Sequence, residues 1–486
     1  MGYILGVDCG TTLTTALLLN EDMRVVSVGQ SPTEQLYPQS SHVEQLPRKI
    51  LGSFLRAAAL AIDNANIKPC EVEAIGIDHQ GETCLIWNKV TGEPIYNAIS
   101  WQDRRTAEEV NSIKEKYGEY IFNTTGLIAD SYYSASKLAW ILDNVPGARE
   151  AAARGELCAG TLNTYFIYML CGEFVSDACT GGRYMLMDLK KTEWDKKMLD
   201  IFDIPEDILP PLYDCARVFG YTRPESFFGV SVPIMGSITD SNAALIGSGL
   251  TTPGALKASY GTGCFMSLYT GKTPIFSDMT LSSTCCRRLN GVPEYTMCGA
   301  VYSAGSAIEW MRRVGLIDKP ADSGYMARDC ENTGVYFVPA FSGIGSPYWD
   351  QDAKAQFVGI DFRCGREQLV RAVLESSAYR VTDCIDCMNR FTHVNEIVAD
   401  GGMTKDVYLM QFQADITGVP VSILSEKENS AFGAAALAAL SCGKLGSIGE
   451  IAELNRRSKT FEPKMSADER ESLLDGWQKA KGKCLA

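Results

Sequence analysis

The sequence predicts an α/β protein built from two related halves, and three observations carry that prediction. Short apolar runs of strand length end in polar residues and alternate with helical patterns. A strand–turn–strand unit with glycine and threonine at its turn occurs twice, at Gly6-Val7-Asp8-Cys9-Gly10-Thr11-Thr12 and at Gly261-Thr262-Gly263. The chain has 486 residues, too many for one core; ~2–3 domains is the prior for such a length.

Taken in order, Tyr3–Leu5, Ala16–Leu19 and Val25–Val28 read as an antiparallel meander, followed by an amphipathic helix over Leu46–Ala65. Val72–Ile77 is a strand whose polar end is Asp78-His79-Gln80-Gly81-Glu82-Thr83, and Cys84–Trp87 is another strand. Ala107–Leu157 reads as mostly helical, broken by a loop over Gly126–Tyr133. Ser231–Gly236 is a strand with Ser237–Ser241 as its polar end, and a small-residue helix follows over Asn242–Gly247. The glycine-rich stretch Gly247–Gly254 marks a hinge, which divides the chain into domains 1–247 and 248–486.

The second half repeats the logic. Ala255–Tyr260 and Cys264–Tyr269 flank the second hairpin, and Val301–Val314 reads as a helix. Val335–Pro339 and Ala355–Ile360 are strands around a Gly/Pro loop, and Gln368–Met388 is a long helix. Glu396–Ala399 ends in Asp400-Gly401-Gly402 before a helix over Asp406–Thr417, and Val419–Ile423 is the last clear strand. The helix Ala431–Leu440 is so rich in small residues that something must pack close to it, either an adenine ring or the sheet.

Composition excludes several function classes. Hydrophobic residues at 46% and charged residues at 21% describe an ordinary globular chain. A net charge of −14 disfavours a nucleic-acid partner. No export signal and no apolar run of membrane-spanning length is present, which places the expected location in the cytoplasm. The 17 cysteines sit singly in apolar contexts, as buried thiols do in a reducing compartment. Cys384 and Cys387 have CxxC spacing, but with three histidines in the chain and no second pair, an inert helix-borne pair is expected rather than zinc.

Three features suit a polyanion: the two Gly/Thr hairpins and Asp400-Gly401-Gly402 before its helix. For the first hairpin a plain turn and a phosphate cradle both fit; Asp8 among the donors makes sense with a cation bound beside a nucleotide. Gly271-Lys272-Thr273 is not a P-loop, because Met266 stands where its first glycine belongs. Asp240, at a strand end facing the cleft, suits a general base, and also the start of the helix that follows it.

Together, GVDCGTT, YPQSSHVEQ, GEPIYNAISWQDRRT, SYYSASK, YGTGCF, YFVPAFSGIGSPYWD and DGGMTKDVYLMQFQADITGVPV make the chain resemble the FGGY carbohydrate kinases from Tyr3 to about Gly443, with motifs nearest those of glycerol kinases. The resemblance implies two actin/hexokinase-type (ribonuclease H-like) domains with an interdomain cleft, and phosphorylation of a sugar or polyol by ATP with Mg2+. It places Asp240 as catalytic base and Asp8, with Asp240, at the metal. It places Thr11, Thr12, Gly261, Thr262, Gly401, Gly402 and Lys405 around the nucleotide. The pocket positions are His79, Gly81, Glu82, Trp101, Tyr132, Asp240, Ser241 and Phe265. A homodimer is compatible with it.

Three positions depart from the glycerol kinase pattern. Gly81 replaces an arginine that grips the polyol beside Glu82, Ser241 replaces a glutamine, and Thr15 replaces an arginine directed at the γ-phosphate. The lost donors and added volume predict a larger substrate, a polyol or ketose of four or five carbons. A glycerol kinase with a variant pocket, and a weakly catalytic sugar-binding regulator on the same fold, are the alternatives. Either Arg104 or Arg105 of the neighbouring loop substitutes for the missing phosphate-side cation, or turnover is low; the sequence leaves both open.

Overall fold

The computed structural model describes residues 2–485. The first meander forms as expected, over β1 (Tyr3–Cys9), β2 (Leu13–Leu19) and β3 (Val25–Pro32). Its first two strands extend further into the Gly/Thr stretch than the apolar runs alone indicate, so Asp8 and Cys9 belong to β1 and the turn shrinks to Gly10–Thr12. Helix α1 (Pro47–Asn64) opens with proline, whose missing N–H costs nothing in a first turn, and covers β2 and β3 with Ile50, Phe54, Ala57 and Ala61. Strand β4 (Val72–His79) then enters parallel to β1, and β5 (Cys84–Asn88) leaves for a small separate sheet. Helices α2 (Ala107–Thr125) and α3 (Ser134–Asn144) flank the expected loop, α2 ending on Gly126 in the left-handed conformation.

Strands β6 (Ala216–Tyr221) and β7 (Pro233–Thr239) complete a six-stranded sheet of order β6-β7-β4-β1-β2-β3. Helix α4 (Asp240–Gly247) begins directly at the end of β7. Its cap position is Thr239, so Asp240 is the first helical residue rather than the cap.

The second half holds β8 (Ala255–Tyr260), β9 (Cys264–Gly271), β10 (Ser282–Leu289) and β11 (Val292–Val301), followed by α5 (Gly305–Arg313). The helix expected from Val301 therefore starts later, because Val301 closes β11 against Cys264. Helix α6 (Arg366–Asn389), β12 (Glu396–Asp400), α7 (Val407–Thr417), β13 (Val421–Leu424), α8 (Asn429–Ser441) and β14 (Arg457–Phe461) complete it. The last of these is an additional edge strand. Cys384 and Cys387 both lie buried on α6.

The second sheet has the order β10-β11-β9-β8-β12-β13-β14. All of its strands except β10 repeat the first sheet one for one: an antiparallel meander (β8, β9, β11 against β1, β2, β3), two parallel strands (β12 and β13 against β4 and β7), and an antiparallel edge (β14 against β6). This is the two-domain actin/hexokinase-type architecture.

Helix α8 crosses back onto the first sheet and packs on β1, β4, β7 and α4. That contact explains its small residues. A Cβ on Gly6 would lie 2.1 Å from Ala431 O, one on Gly76 1.9 Å from Ala434 O, and one on Gly433 1.8 Å from Ala243 O. The helix body is thus committed to backbone-close packing, and only its N-terminal residues Asn429 and Ser430 reach the cleft. Among the described residues no helix is long and apolar enough to cross a membrane.

Candidate active site

Parallel strand ends and the two hairpins converge on one cavity of about 830 Å³ between the sheets. Asp8, Gly10, Thr11, Gly81, Glu82, Trp101, Tyr132, Asp240, Ser241, Phe265 and Gly401 all line it. Residues spread over almost 400 positions of the chain are therefore brought together as the motifs imply. Thr12, Gly261, Thr262, Gly402 and Lys405 are exposed residues of the hairpin turns and of the segment after β12, at the rim rather than in the wall.

Chemistry concentrates at the strand ends of the first sheet. Asp240 Oδ1 accepts from the backbone N–H of Ser241 at 2.6 Å. Burial, with the charges of Asp8 and Glu82 added, raises the Asp240 carboxyl to about 7, against the opposing pull of that N–H and of Arg183. Asp8 is raised to about 6, mainly by burial. Its Oδ1 is buried with no hydrogen-bond donor. Trp101 Nε1 donates to Thr11 Oγ1 at 2.9 Å, which ties the aromatic wall to the first hairpin while leaving the threonine hydroxyl proton free to donate. Trp101 and Tyr132 meet edge to face at 5.5 Å, and Phe265, largely exposed, faces them across the cleft.

Three expectations are corrected. His79 does not line the cavity: it sits within β4, fully buried, with Nδ1 on Gln80 O and Nε2 on Thr180 Oγ1, and burial lowers it to about 4, so it stays neutral. Alternation along the strand turns it away from the cleft. Arg105 supplies no phosphate-side cation. Its side chain is 1% exposed and locked by Glu44 Oε1 at 2.7 Å and Asp103 Oδ2 at 2.8 Å. Arg104 does reach the cavity wall, paired with Asp130 at 2.6 Å.

The third correction concerns the volume expected at Gly81. Arg183, which follows the short helix Ala178–Gly181, occupies it: its Cγ lies 3.6 Å from where a Gly81 Cβ would be. Its Nε donates to Glu82 Oε1 at 2.6 Å, and its guanidinium lies 5.7 Å and 5.2 Å from the Tyr132 and Tyr133 ring centres. A guanidinium thus stands beside Glu82 after all, delivered from 101 residues downstream.

The second hairpin carries its own cation. Lys257 Nζ meets Asp400 Oδ1 at 2.6 Å, and Asn429 Nδ2 donates to Asp400 Oδ2 at 3.2 Å. Gly401 has φ +95 and Tyr260 O 2.3 Å from the place of a Cβ, so only glycine fits there; a Cβ on Gly402 would meet nothing within 4 Å, open space against which a planar ligand can lie. Lys257, Lys427 and Asn429 complete this wall.

Comparison with known proteins decides the family. Residues 3–247 match the N-terminal domain, and residues 256–442 the C-terminal domain, of the FGGY family of carbohydrate kinases. The chain belongs to that family. It is 43% identical over 480 residues to the glycerol kinase of Thermococcus kodakarensis, covering 98% of this chain and 96% of that one. It is 41% identical over 492 residues to glycerol kinase 2 of Thermotoga maritima, covering 100% and 99%. The crystal structure of Plasmodium falciparum glycerol kinase with ADP superposes with a TM-score of 0.95 at 32% identity, over 100% of this chain and 99% of that one. A ligand-bound xylulose kinase from Lactobacillus acidophilus shares the fold, with a TM-score of 0.90 at 21% identity over 100% and 99%. As an FGGY kinase the protein is a phosphotransferase with an alcohol group as acceptor.

Proposed function

We propose that this FGGY kinase transfers the terminal phosphoryl group of ATP to a hydroxyl of glycerol, with Asp240 as the general base. The observation that carries the choice of a small polyol is the Arg183–Glu82 ion pair. It returns to the pocket a fixed guanidinium and carboxylate that can hold vicinal hydroxyls, and it fills the space that Gly81 vacates. The glycerol kinases among the relatives, at 41–43% identity over nearly the whole chain, point the same way.

In this reading Trp101, Tyr132 and Phe265 enclose the carbon skeleton, and Glu82 with Arg183 orients its hydroxyls. Asp240, poised near 7, takes the proton of the attacking hydroxyl. The glycines at 10, 261, 401 and 402 let backbone approach the nucleotide, and Thr11, Thr12 and Thr262 add hydroxyl donors. Asp8 and Asp240 would hold Mg2+; the undonated, buried Asp8 Oδ1 fits a cation. Bound Mg2+ would neutralise the negative charge shared by the phosphates and these carboxylates. Lys405, on the rim, would act on the nucleotide from outside.

A second reading, a polyol or ketose of four or five carbons, is favoured by the small side chain at Ser241 on the pocket wall. A panel of glycerol, erythritol, ribitol, xylulose and ribulose, followed by ATP-dependent ADP release, separates the two. The expected result is the highest kcat/KM for glycerol. A longer compound exceeding it would establish the second reading, and no stimulation by any of them would sink both.

A further inference from the structure

Arg183 uses only one of its three guanidinium nitrogens on the protein. Nε donates to Glu82 Oε1, and among the described residues nothing accepts a hydrogen bond from Nη1 or Nη2. The side chain is nevertheless only 15% exposed and lines the cavity, so its open amino groups face the space where the acceptor lies. Enclosed donors of this kind require oxygen acceptors, from a ligand or from water.

The second sheet offers a matching wall. Phe265 pairs with Ala300 between β9 and β11; one step further Ser267 stands opposite Cys298, and Cys298 opposite Ser282 of β10. Strand alternation puts Ser267, Cys298 and Ser282 on the face that carries Phe265, ~7 Å further along. All three line the cavity, as does Thr284, and Cys298 Sγ lies 3.8 Å from both Ser267 Oγ and Thr284 Oγ1. Cys298 is also among the groups near enough to act on the Arg183 charge. Because β9 leaves the second hairpin at Cys264, each step along it leads away from that turn. The row therefore lies beyond Phe265, on the side remote from the nucleotide corner.

We propose that the free amino groups of Arg183 and the Ser267–Cys298–Ser282 row form an extension of the polyol pocket. It takes the uncharged, hydroxylated end of an acceptor one or two carbons longer than glycerol, the end remote from the hydroxyl that is phosphorylated. A neutral ligand is selected: Glu82 already balances Arg183, and Asp240 faces the same pocket, so a carboxylate on the acceptor would meet repulsion. With glycerol bound, water meets these groups; the hydroxyls of a longer alditol replace it, which gives tolerance of length rather than preference over glycerol. The proposal rests on the kinase reading above and widens its acceptor class.

The test compares kcat/KM for erythritol and glycerol, with ATP and Mg2+, in wild type and in Cys298→Leu, whose added carbons fill the row. The expected result is measurable turnover of erythritol by wild type, and an erythritol-to-glycerol ratio at least about tenfold lower in the variant. Turnover of glycerol but not erythritol by wild type, or an unchanged ratio in the variant, would overturn the extension and leave the kinase reading standing. Turnover of neither compound would remove the kinase reading along with it. Should Cys298→Leu not fold, wild-type crystals with erythritol and ADP decide. An erythritol hydroxyl within hydrogen-bond distance of Arg183 Nη1 or Nη2, with the chain end against Ser267 or Cys298, is expected; a chain end directed elsewhere contradicts the proposal.

Discussion

In the second half of the molecule Asp400, at the end of β12, meets Lys257 and Asn429 and so sits in a charge-balanced corner. In the first half the corresponding corner gathers Asp8 and Asp78, with Asp240 nearby, and the neighbours that act on them are chiefly one another. Both corners are made by the same device, a Gly/Thr hairpin beside a parallel strand. One repeat is thus complete by itself and suited to seating a nucleotide. The other buries several carboxylates together; burial chiefly, and one another's charge in addition, raises them toward neutrality and gives Asp240 the basicity to accept a proton. Duplication supplied the frame; the residue opposite each strand end divided the work.

The largest expected effect breaks the first corner. Asp240→Asn should lower kcat by ~10²–10⁴ with ADP binding retained, and a near-normal kcat would remove Asp240 from the base role. Next comes the second corner. Lys257→Met leaves Asp400, partly exposed, without its cation, and should cost about 2–3 kcal/mol of stability. Combining it with Asp400→Asn should recover part of that loss in denaturant unfolding, and strictly additive losses would mean that the pair is not coupled.

Arg183→Met should raise KM for the polyol roughly tenfold, through loss of the charge-assisted bond to Glu82, with a smaller change in kcat. An unchanged KM would show that the guanidinium only supports the wall. Introducing arginine at Gly81 should impair every substrate rather than switch selectivity, because Arg183 already fills the space and Thr239 Cγ2 lies 3.1 Å from the new Cβ.

The last effect is on how stability depends on pH. A carboxyl raised in the folded state favours folding below its ordinary value and loses that contribution as pH rises through its folded value. Asp240, raised to about 7, therefore burdens the free protein at pH above 7. Asp240→Asn should melt above wild type near pH 8 and together with it near pH 4; equal melting at both would contradict a raised Asp240 carboxyl.

The hairpins, the repeat and the strand-end position of Asp240 were legible because they are local patterns: glycine and threonine between apolar runs, and a polar residue where a strand stops. What escaped is long-range or carries no period. Arg183 meets Glu82 across 101 positions from a turn without a motif, so reasoning from Gly81 alone saw a lost donor and not its replacement. The strand Arg457–Phe461 has almost no apolar alternation, being an exposed edge held by its ladder to β13. The polar end of β4 was visible, but which way His79 and Asp78 face depends on how far the strand continues, and that is fixed by pairing with β1.

The most direct measurement is the pH dependence of kcat/KM for glycerol with ATP and Mg2+. Asp240 as general base predicts a rise with pH that levels at or below about 7, the value burial gives it in the free protein, because Mg2+ bound beside it favours the charged carboxylate. A profile that shows no rise below that value, or falls toward it, would contradict the account.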